Sequence, residues 1–596
     1  LRFAMVYREH STEPLDDLRN LTPWASCTAD ALMNCYDGAG FSAVSYYFAK
    51  YLQQKLDVPV GIINTSWGGT RIEPWTPPEG FEAVPALADI AAQVRMNTPA
   101  STDYQNHLRD TIAKVKGWLP EAENALKAGA FPPPLPSIAS KSALNTHQSP
   151  TVLYNAMVNP LVPYANRGFI WYQGESNRGE GMLYRDKMEA LIRGWRTRFE
   201  NDDMACYFVQ LAPFKYGDKP MALPEIWEAQ VATLDIPGTG MAVINDIGNT
   251  KDIHPRNKDD VGKRLAWLAL NKTYGQKDVV CDSPLYDHHK IEGDTVCVYF
   301  KNAETLKTRD GAAPIWFEVS AMDGVYHQAK ATIEGNMVVL KADGVKKPVA
   351  VRFAWDHCAE PNLMNEAGLP ASAFRAGTIP LDGLMRSLVP ESTDLQIVYA
   401  FDPTTPVFQD KNFVYAVDNS AILSGKKMER IAYFLHLTPK KGDAQWVYVE
   451  MDPFTKNAKH IGVPVPEKGA QFQKKLKNLV VKSNVPGLPV ENLSGYIEAW
   501  ACNYGAARTR GFDNASDEIY DFDDTMSMDA NPGYGCLQFH DVHSGTTLLA
   551  FNNFRAGRDA DVGIGNCPGK QKDWTFSKSA NTYAGGQLLV LVKPAK

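Results

Sequence analysis

The sequence has 596 residues, 44% of them apolar and 22% charged, with a formal net charge of −7. That balance describes an ordinary globular chain rather than a disordered one, and with no basic run it argues against a nucleic-acid partner. No stretch reaches the roughly 18 apolar residues of a membrane-spanning helix, and the length suggests roughly three or four domains.

Leu1 to Tyr7 is a predicted strand, so the chain opens inside a fold, and we expect further sequence, with any secretory leader, upstream. Phe41, Val44, Phe48, Leu52 and Leu56 recur at helical spacing. Asp57-Val58-Pro59 ends that helix, and Val60 to Ile63 opens a buried strand. Glu73 to Pro150 breaks the rhythm. It carries helical patches at Asp110 to Trp118 and Glu121 to Lys127, then a stiff proline run from Phe131 to Pro136. We read it as an insertion at the rim of a sheet, either shaping substrate access or purely structural. Apolar strands follow at Phe169, Cys206 and Met241, with helices over Leu183 to Phe199, over Pro224 to Leu234 and after His254. Strands alternating with helices predict a parallel sheet in flavodoxin-like layers. Near Gly275 the period changes. Short strands at Thr295 to Phe300, Ile315 to Val319, Met337 to Leu340 and Val349 to Ala354 predict a small all-β domain. Val389 to Lys596 is again β-rich and reads as a β-sandwich, with a hairpin over Cys536 to Phe551.

Three strands run into polar clusters. One ends in Asn64-Thr65-Ser66-Trp67-Gly68-Gly69-Thr70, a second in Gln173-Gly174-Glu175-Ser176-Asn177, and a third in Asn245-Asp246, shortly before Asp252-Ile253-His254-Pro255. Ligands bind at the carboxyl ends of strands in open α/β sheets. Converging Gly, Glu, Asn, Asp and His suit acyl transfer: a neutral imidazole takes a hydroxyl proton near neutral pH, a carboxylate orients it, and backbone amides meet the oxyanion.

With Ile72-Glu73-Pro74-Trp75, Arg256-Asn257-Lys258, Val351-Arg352-Phe353-Ala354-Trp355 and Gly368-Leu369-Pro370-Ala371-Ser372, these segments resemble the SGNH hydrolases. More narrowly, they resemble the sialate O-acetylesterase group of carbohydrate esterases, from Leu1 to about Thr378. The resemblance implies an SGNH three-layer α/β domain over 1–275 with an insertion at about 76–150. A small β domain at 276–378 and a C-terminal β-sandwich module at 389–596, possibly carbohydrate-binding, complete the expected organisation. It implies hydrolysis of O-acetyl esters on sialic acid or polysaccharide by serine acyl transfer, with no metal or organic cofactor, in a secreted or periplasmic protein.

His254 is then the general base. Its acidic partner is Asp252, two residues before it, or Glu175. Gly68 or Gly69 and the Asn177 side chain supply the oxyanion hole. Trp67, Gln173, Trp75 and Arg71 are candidate substrate-binding residues, although Trp67 and Trp75 serve equally well as core aromatics. The family's seryl nucleophile lies in a Gly-Gln-Ser-Asn-Met segment that this chain lacks. It is expected upstream of residue 1, with Ser66 and Ser176 as the nearest candidates within the chain. A chain that has lost it would be a non-catalytic glycan-binding protein.

Asp287-His288-His289, His540-Asp541-Val542-His543 and the acidic run Asp517 to Asp524 have metal-like composition without a ligand spacing. Nine scattered cysteines leave at least one unpaired; Cys281 and Cys297, flanking a predicted hairpin, are either a disulfide or buried thiols.

Overall fold

Ser42 starts the first long helix, its side chain accepting a hydrogen bond from the Ser45 backbone N–H. That helix, α1 (Ala43–Leu56), ends where Asp57 turns left-handed at φ 51°, and Val58-Pro59 forbids its continuation. The chain then enters a strand. In this computed structural model the described residues are all of 1–596 except 36–37, 39, 138–140, 218, 406–407, 410–411, 464–471, 489, 492, 494, 503–531, 542–545, 554–560, 566–577 and 596. They form two compact units. The first comprises Leu1–Ala321 and Val325–Thr378, the second Met322–Gly324 and Ile379–Lys596.

In the first unit β1 (Arg2–Met5) pairs antiparallel with β2 (Ala25–Ser26) and parallel with β3 (Gly61–Asn64), Arg2 facing Gly61 and Met5 facing Asn64. A second parallel ladder joins β4 (Gly168–Trp171), β5 (Ala205–Val209) and β6 (Thr239–Ala242). Between strands run α3 (Leu183–Arg198) and α4 (Ala222–Ala232), and α5 (Lys258–Leu268) follows β6. The predicted α/β class holds. The strands, however, form two three-stranded sheets, one mixed and one parallel, rather than one parallel sheet, and β3 and β4 are the facing edges. A cavity of about 750 Å³ separates them.

Helix α5 crosses α1 at Gly262, where a Cβ would lie 2.5 Å from Tyr47 Cβ. The insertion is more helical than its sequence suggests. Its two predicted patches are one 26-residue helix, α2 (Thr102–Lys127), continuing through Pro120. Pro120 and its surroundings are exposed, so water satisfies the carbonyl that proline leaves without a donor, and the helix bears the cost.

Residues 285–377 form two four-stranded antiparallel sheets, built on the short strands read from the sequence. Phe300, Phe317, Phe353 and Phe374 stack in their core. Cys281 and Cys297 are both free thiols. Cys297 lies within the strand Thr295–Lys301, opposite Val339 and Lys290, while the Cys281 Sγ points to the Asp282 carboxylate.

The second unit holds two six-stranded sheets. They share a core in which Tyr433 of one sheet meets Phe539 of the other at 4.4 Å between ring centroids. Strands Pro532–Asp541 and Thr546–Asn553 pair as the predicted hairpin. Its turn at 542–545 and the acidic run at 517–524 lie outside the described residues.

Candidate active site

The polar turn after β3 closes on itself. Thr70 Oγ1 donates to the Trp67 carbonyl at 2.7 Å, and Trp75 Nε1 donates to Thr70 Oγ1 at 3.0 Å. Gly69 sits at φ +78°, where only glycine is unstrained, and neither Gly68 nor Gly69 has an atom within 4 Å of where a Cβ would project. Both residues are exposed. The Gly69 carbonyl accepts from Ser176 Oγ and from Gln148 Nε2, each at 2.9 Å. The end of the insertion is thus latched onto this turn.

After β4 the chain reverses at Gly174 (φ 147°) into a single 3₁₀ turn, Glu175–Asn177. Gln173 Nε2 donates to the Thr70 carbonyl at 3.0 Å and to Asn177 Oδ1 at 2.9 Å. Asn177 is fully buried. Its Oδ1 also accepts from the Ile72 backbone N–H, and its Nδ2 donates to Glu73 Oε2 and Glu180 Oε2. Lys187 Nζ, from α3, donates to Glu73 and Glu180 at 2.7 Å each. Arg71 bonds Glu73, Glu180 and the Ser176 carbonyl. Two cations and two anions thus close a network between the turns. Burial pushes the Glu73 carboxyl up, but hydrogen bonds from Arg71, Lys187 and Asn177 outweigh it and hold the group at about 2.

Four residues named from the sequence have structural partners here. Both Asn177 amide hydrogens go to carboxylates, so Asn177 pins two turns together. Arg71 also points into the network, and Gln173 bonds into it while lining a second, smaller cavity. Trp75, only 3% exposed, packs edge-on against Trp171 in the core and is a structural aromatic. Trp67 stays half-buried, with one face stacked on His147 at 4.9 Å and its edge near His10.

Glu175 lies apart from that network. Burial raises its carboxyl, while hydrogen bonds from the Glu175 and Gly174 backbone and the charges of His254 and Lys258 pull it back down. Tyr172 and Tyr216 share the pocket, and the Glu175 charge adds to burial in raising both phenols. Arg178 covers the Tyr216 ring at 3.7 Å and donates to the Glu175 carbonyl. Burial lowers Lys258, against the pull of Glu175 and Asp252.

His254 is exposed. The Asp252 carboxylate accepts from the His254 backbone N–H at 2.9 Å and so holds the main chain. Asp252 bonds the loop backbone, and the half-buried Glu175 carboxyl feels the charge of His254. Asp246 makes a two-point ion pair with Arg264 of α5, anchoring the chain that leads to His254.

A cavity of about 300 Å³ opens among Ser42, Thr65, Ser66, Gly68 and Gln173. Ser176 Oγ is committed to Gly69, and the structure records no hydrogen bond between the His254 ring and a seryl hydroxyl among the described residues.

A profile for carbohydrate esterases, the sialic acid-specific acetylesterases, matches residues 136–271, which hold Glu175, Asn177, Asp252 and His254. A carbohydrate acetylesterase structure from Xanthomonas citri shares 32% identity, covering 63% of this chain and 73% of that one, with a TM-score of 0.50. The chain belongs to the sialate O-acetylesterase family of carbohydrate esterases. The rat sialate O-acetylesterase is 30% identical over 60% of this chain and 66% of its own length, the human one 27% identical over 63% and 68%. The mouse sialate O-acetylesterase matches over 52% of its length, so the chain spans about half to two thirds of these relatives.

Four residues around these turns escaped the sequence reading: Gln148, Glu180, Lys187 and Tyr216. Only Lys187 carried a signal, a lysine beside Met188 and between Tyr184 and Leu191 on the apolar face of a helix, where a charge needs a buried partner. Among the described residues, one triplet, Asp356-His357-Cys358, clusters like metal ligands. Asp356 caps the Cys358 N–H, and His357 Nδ1 accepts from the Tyr216 N–H, so both are already occupied. His288 pairs with Asp287 and stacks on Tyr299, whereas His289 bonds the Tyr286 hydroxyl.

Proposed function

We propose that this chain is the catalytic framework of a carbohydrate O-acetylesterase acting on acetylated sialic acid or polysaccharide. The observation that carries the reading is the match of residues 136–271, which hold Glu175 and His254, to the sialic acid-specific acetylesterases, beside a cavity lined by Ser66, Trp67, Gly68 and Gln173. His254 takes the proton of a seryl hydroxyl as its oxygen bonds the acetyl carbonyl carbon. The Gly68 and Gly69 amides receive the oxyanion. The protonated imidazole, stabilised by Glu175, then gives its proton to the departing sugar oxygen. Water, deprotonated by His254, releases acetate from the acyl-enzyme. Trp67, with its free face, meets the sugar ring. The finer assignments, an SGNH-type layer and a secreted or periplasmic location, rest on the family. No helix among the described residues is long and apolar enough to cross a membrane.

Acetate release from an O-acetylated sialoside by the native gene product tests this. His254→Ala is expected to lose on the order of 10⁴-fold in kcat/KM, and undiminished turnover would sink the assignment. The other reading, a glycan-binding protein, predicts sugar binding with no acetate release in any form of the protein.

A further inference from the structure

Helix α2, in the insertion, carries an apolar seam that its own unit leaves open. Leu108, Ile112, Val115, Leu119, Ala122 and Leu126 follow one another at steps of four, three, four, three and four residues. That is the a/d repeat of a coiled coil, and here it draws one stripe about 27 Å long. An apolar stripe on a globular helix ordinarily faces its own core. In α2, Ile112 is 46% exposed, Leu119 49% and Leu126 81%, with Leu108, Val115 and Ala122 half-buried between them. The cover that α2 does receive lies on the neighbouring flank. Thr111 is its one buried residue, and Trp118, seven positions on, donates from Nε1 to the Pro133 carbonyl of the proline run at 2.7 Å. Pro120 stands outside the seam, and the helix continues through it.

The residues beside the seam select what can cover it. On the covered flank, Thr111, Trp118 and Ala125 are uncharged. On the other stand Arg109, Lys116 and Glu123, basic first and acidic last. A second α2 laid antiparallel on the first puts Ile112 against Ala122, Leu119 against Val115 and Leu126 against Leu108, so that every a residue meets a d residue. The same register brings Arg109 of each copy beside Glu123 of the other, an ion pair made twice by the two-fold symmetry. The two Lys116 side chains flank the axis, and their repulsion keeps the association weak. A parallel copy would set Lys116 and Glu123 against the uncharged Thr111 and Trp118 and would form no ion pair.

We propose that this face of α2 binds a second copy of the same chain, antiparallel about a two-fold axis at the level of Gly117, and so forms a homodimer through the insertion. The inference is independent of the esterase reading.

Sedimentation velocity on the intact protein, from about 1 to about 100 µM, tests it. A reversible monomer–dimer equilibrium is expected within that range. A monomer at every concentration would leave the seam to a different partner and overturn the proposal. Leu119→Lys combined with Leu126→Lys changes two exposed positions, and should give a monomer with an unaltered melting temperature. A dimer that survives both changes is held by another surface and refutes the site. Arg109→Glu and Glu123→Arg should each weaken dimerisation about tenfold, and the two together should restore it. Failure of the double variant to recover counts against the antiparallel register. A short bismaleimide linker should join Lys116→Cys chains into dimers above the level of the unaltered protein, and should not join Leu126→Cys chains, whose thiols lie about 27 Å apart in this arrangement. The reverse pattern refutes the antiparallel dimer.

Discussion

Lys187 shows how closely the site is held by individual charges. It is buried with Glu73 and Glu180, and removing it leaves two carboxylates facing each other out of water. Lys187→Met is expected to destabilise the first unit by about 3–5 kcal/mol, read from urea unfolding. Glu73 makes a pH prediction with a definite sign. Its folded pKa of about 2 lies below its ordinary 4.5, so its contribution is present above that ordinary value. It is lost as pH falls from about 5 through about 2, a span of about 3 kcal/mol. Glutamine at position 73 should flatten that part of the stability–pH curve. Glu175 has the opposite sign. Its carboxyl is raised by burial, so the ionised form at neutral pH works against folding. Glu175→Gln should therefore keep or raise the melting temperature while lowering acetate release. A mutant that loses stability and activity together would make Glu175 a structural residue.

At the scale of elements, the crossing of α1 and α5 hinges on Gly262. An added methyl would meet Tyr47 Cβ at 2.5 Å and the Phe48 nitrogen at 2.7 Å, with backbone on one side unable to give way. Gly262→Ala is expected to cost about 1–3 kcal/mol, measured as a shift in denaturation midpoint. It should also weaken activity, because α5 carries Arg264, whose pairing with Asp246 anchors the chain leading to His254. Helix α1 was legible from its apolar period and its Ser42 and Asp57-Val58-Pro59 ends, since both signals are local. The unbroken α2 was not. Pro120 reads as a stop, and only its exposed position shows that water takes up the unpaired carbonyl.

For the whole molecule, separate cores divide the first unit from the second. Calorimetry is expected to resolve two transitions, and a chain ending at Thr378 should keep one of them. A single transition abolished by that truncation would show that the units fold as one. The unequal completeness of the two units also matters. Both sheets of the second are paired six strands wide, whereas the first keeps two open edges facing a cavity.

The sequence by itself determined the α/β class, the small β region after it and the polar strand ends carrying Gly68, Glu175 and His254. Those depend on period-two and period-3.6 patterns and on short turns, which neighbouring residues encode. Only the tertiary structure decided what each polar side chain does. Asn177 bonds Ile72 across 105 residues, and Lys187 reaches Glu73 across 114. Asp252 is near His254 in sequence and bonds its backbone, while Glu175, 79 positions away, feels the charge of the same His254. The separation of β3 from β4 was equally invisible. Strand pairing joins distant segments, and an apolar run states that a strand will be covered without naming the neighbour that covers it.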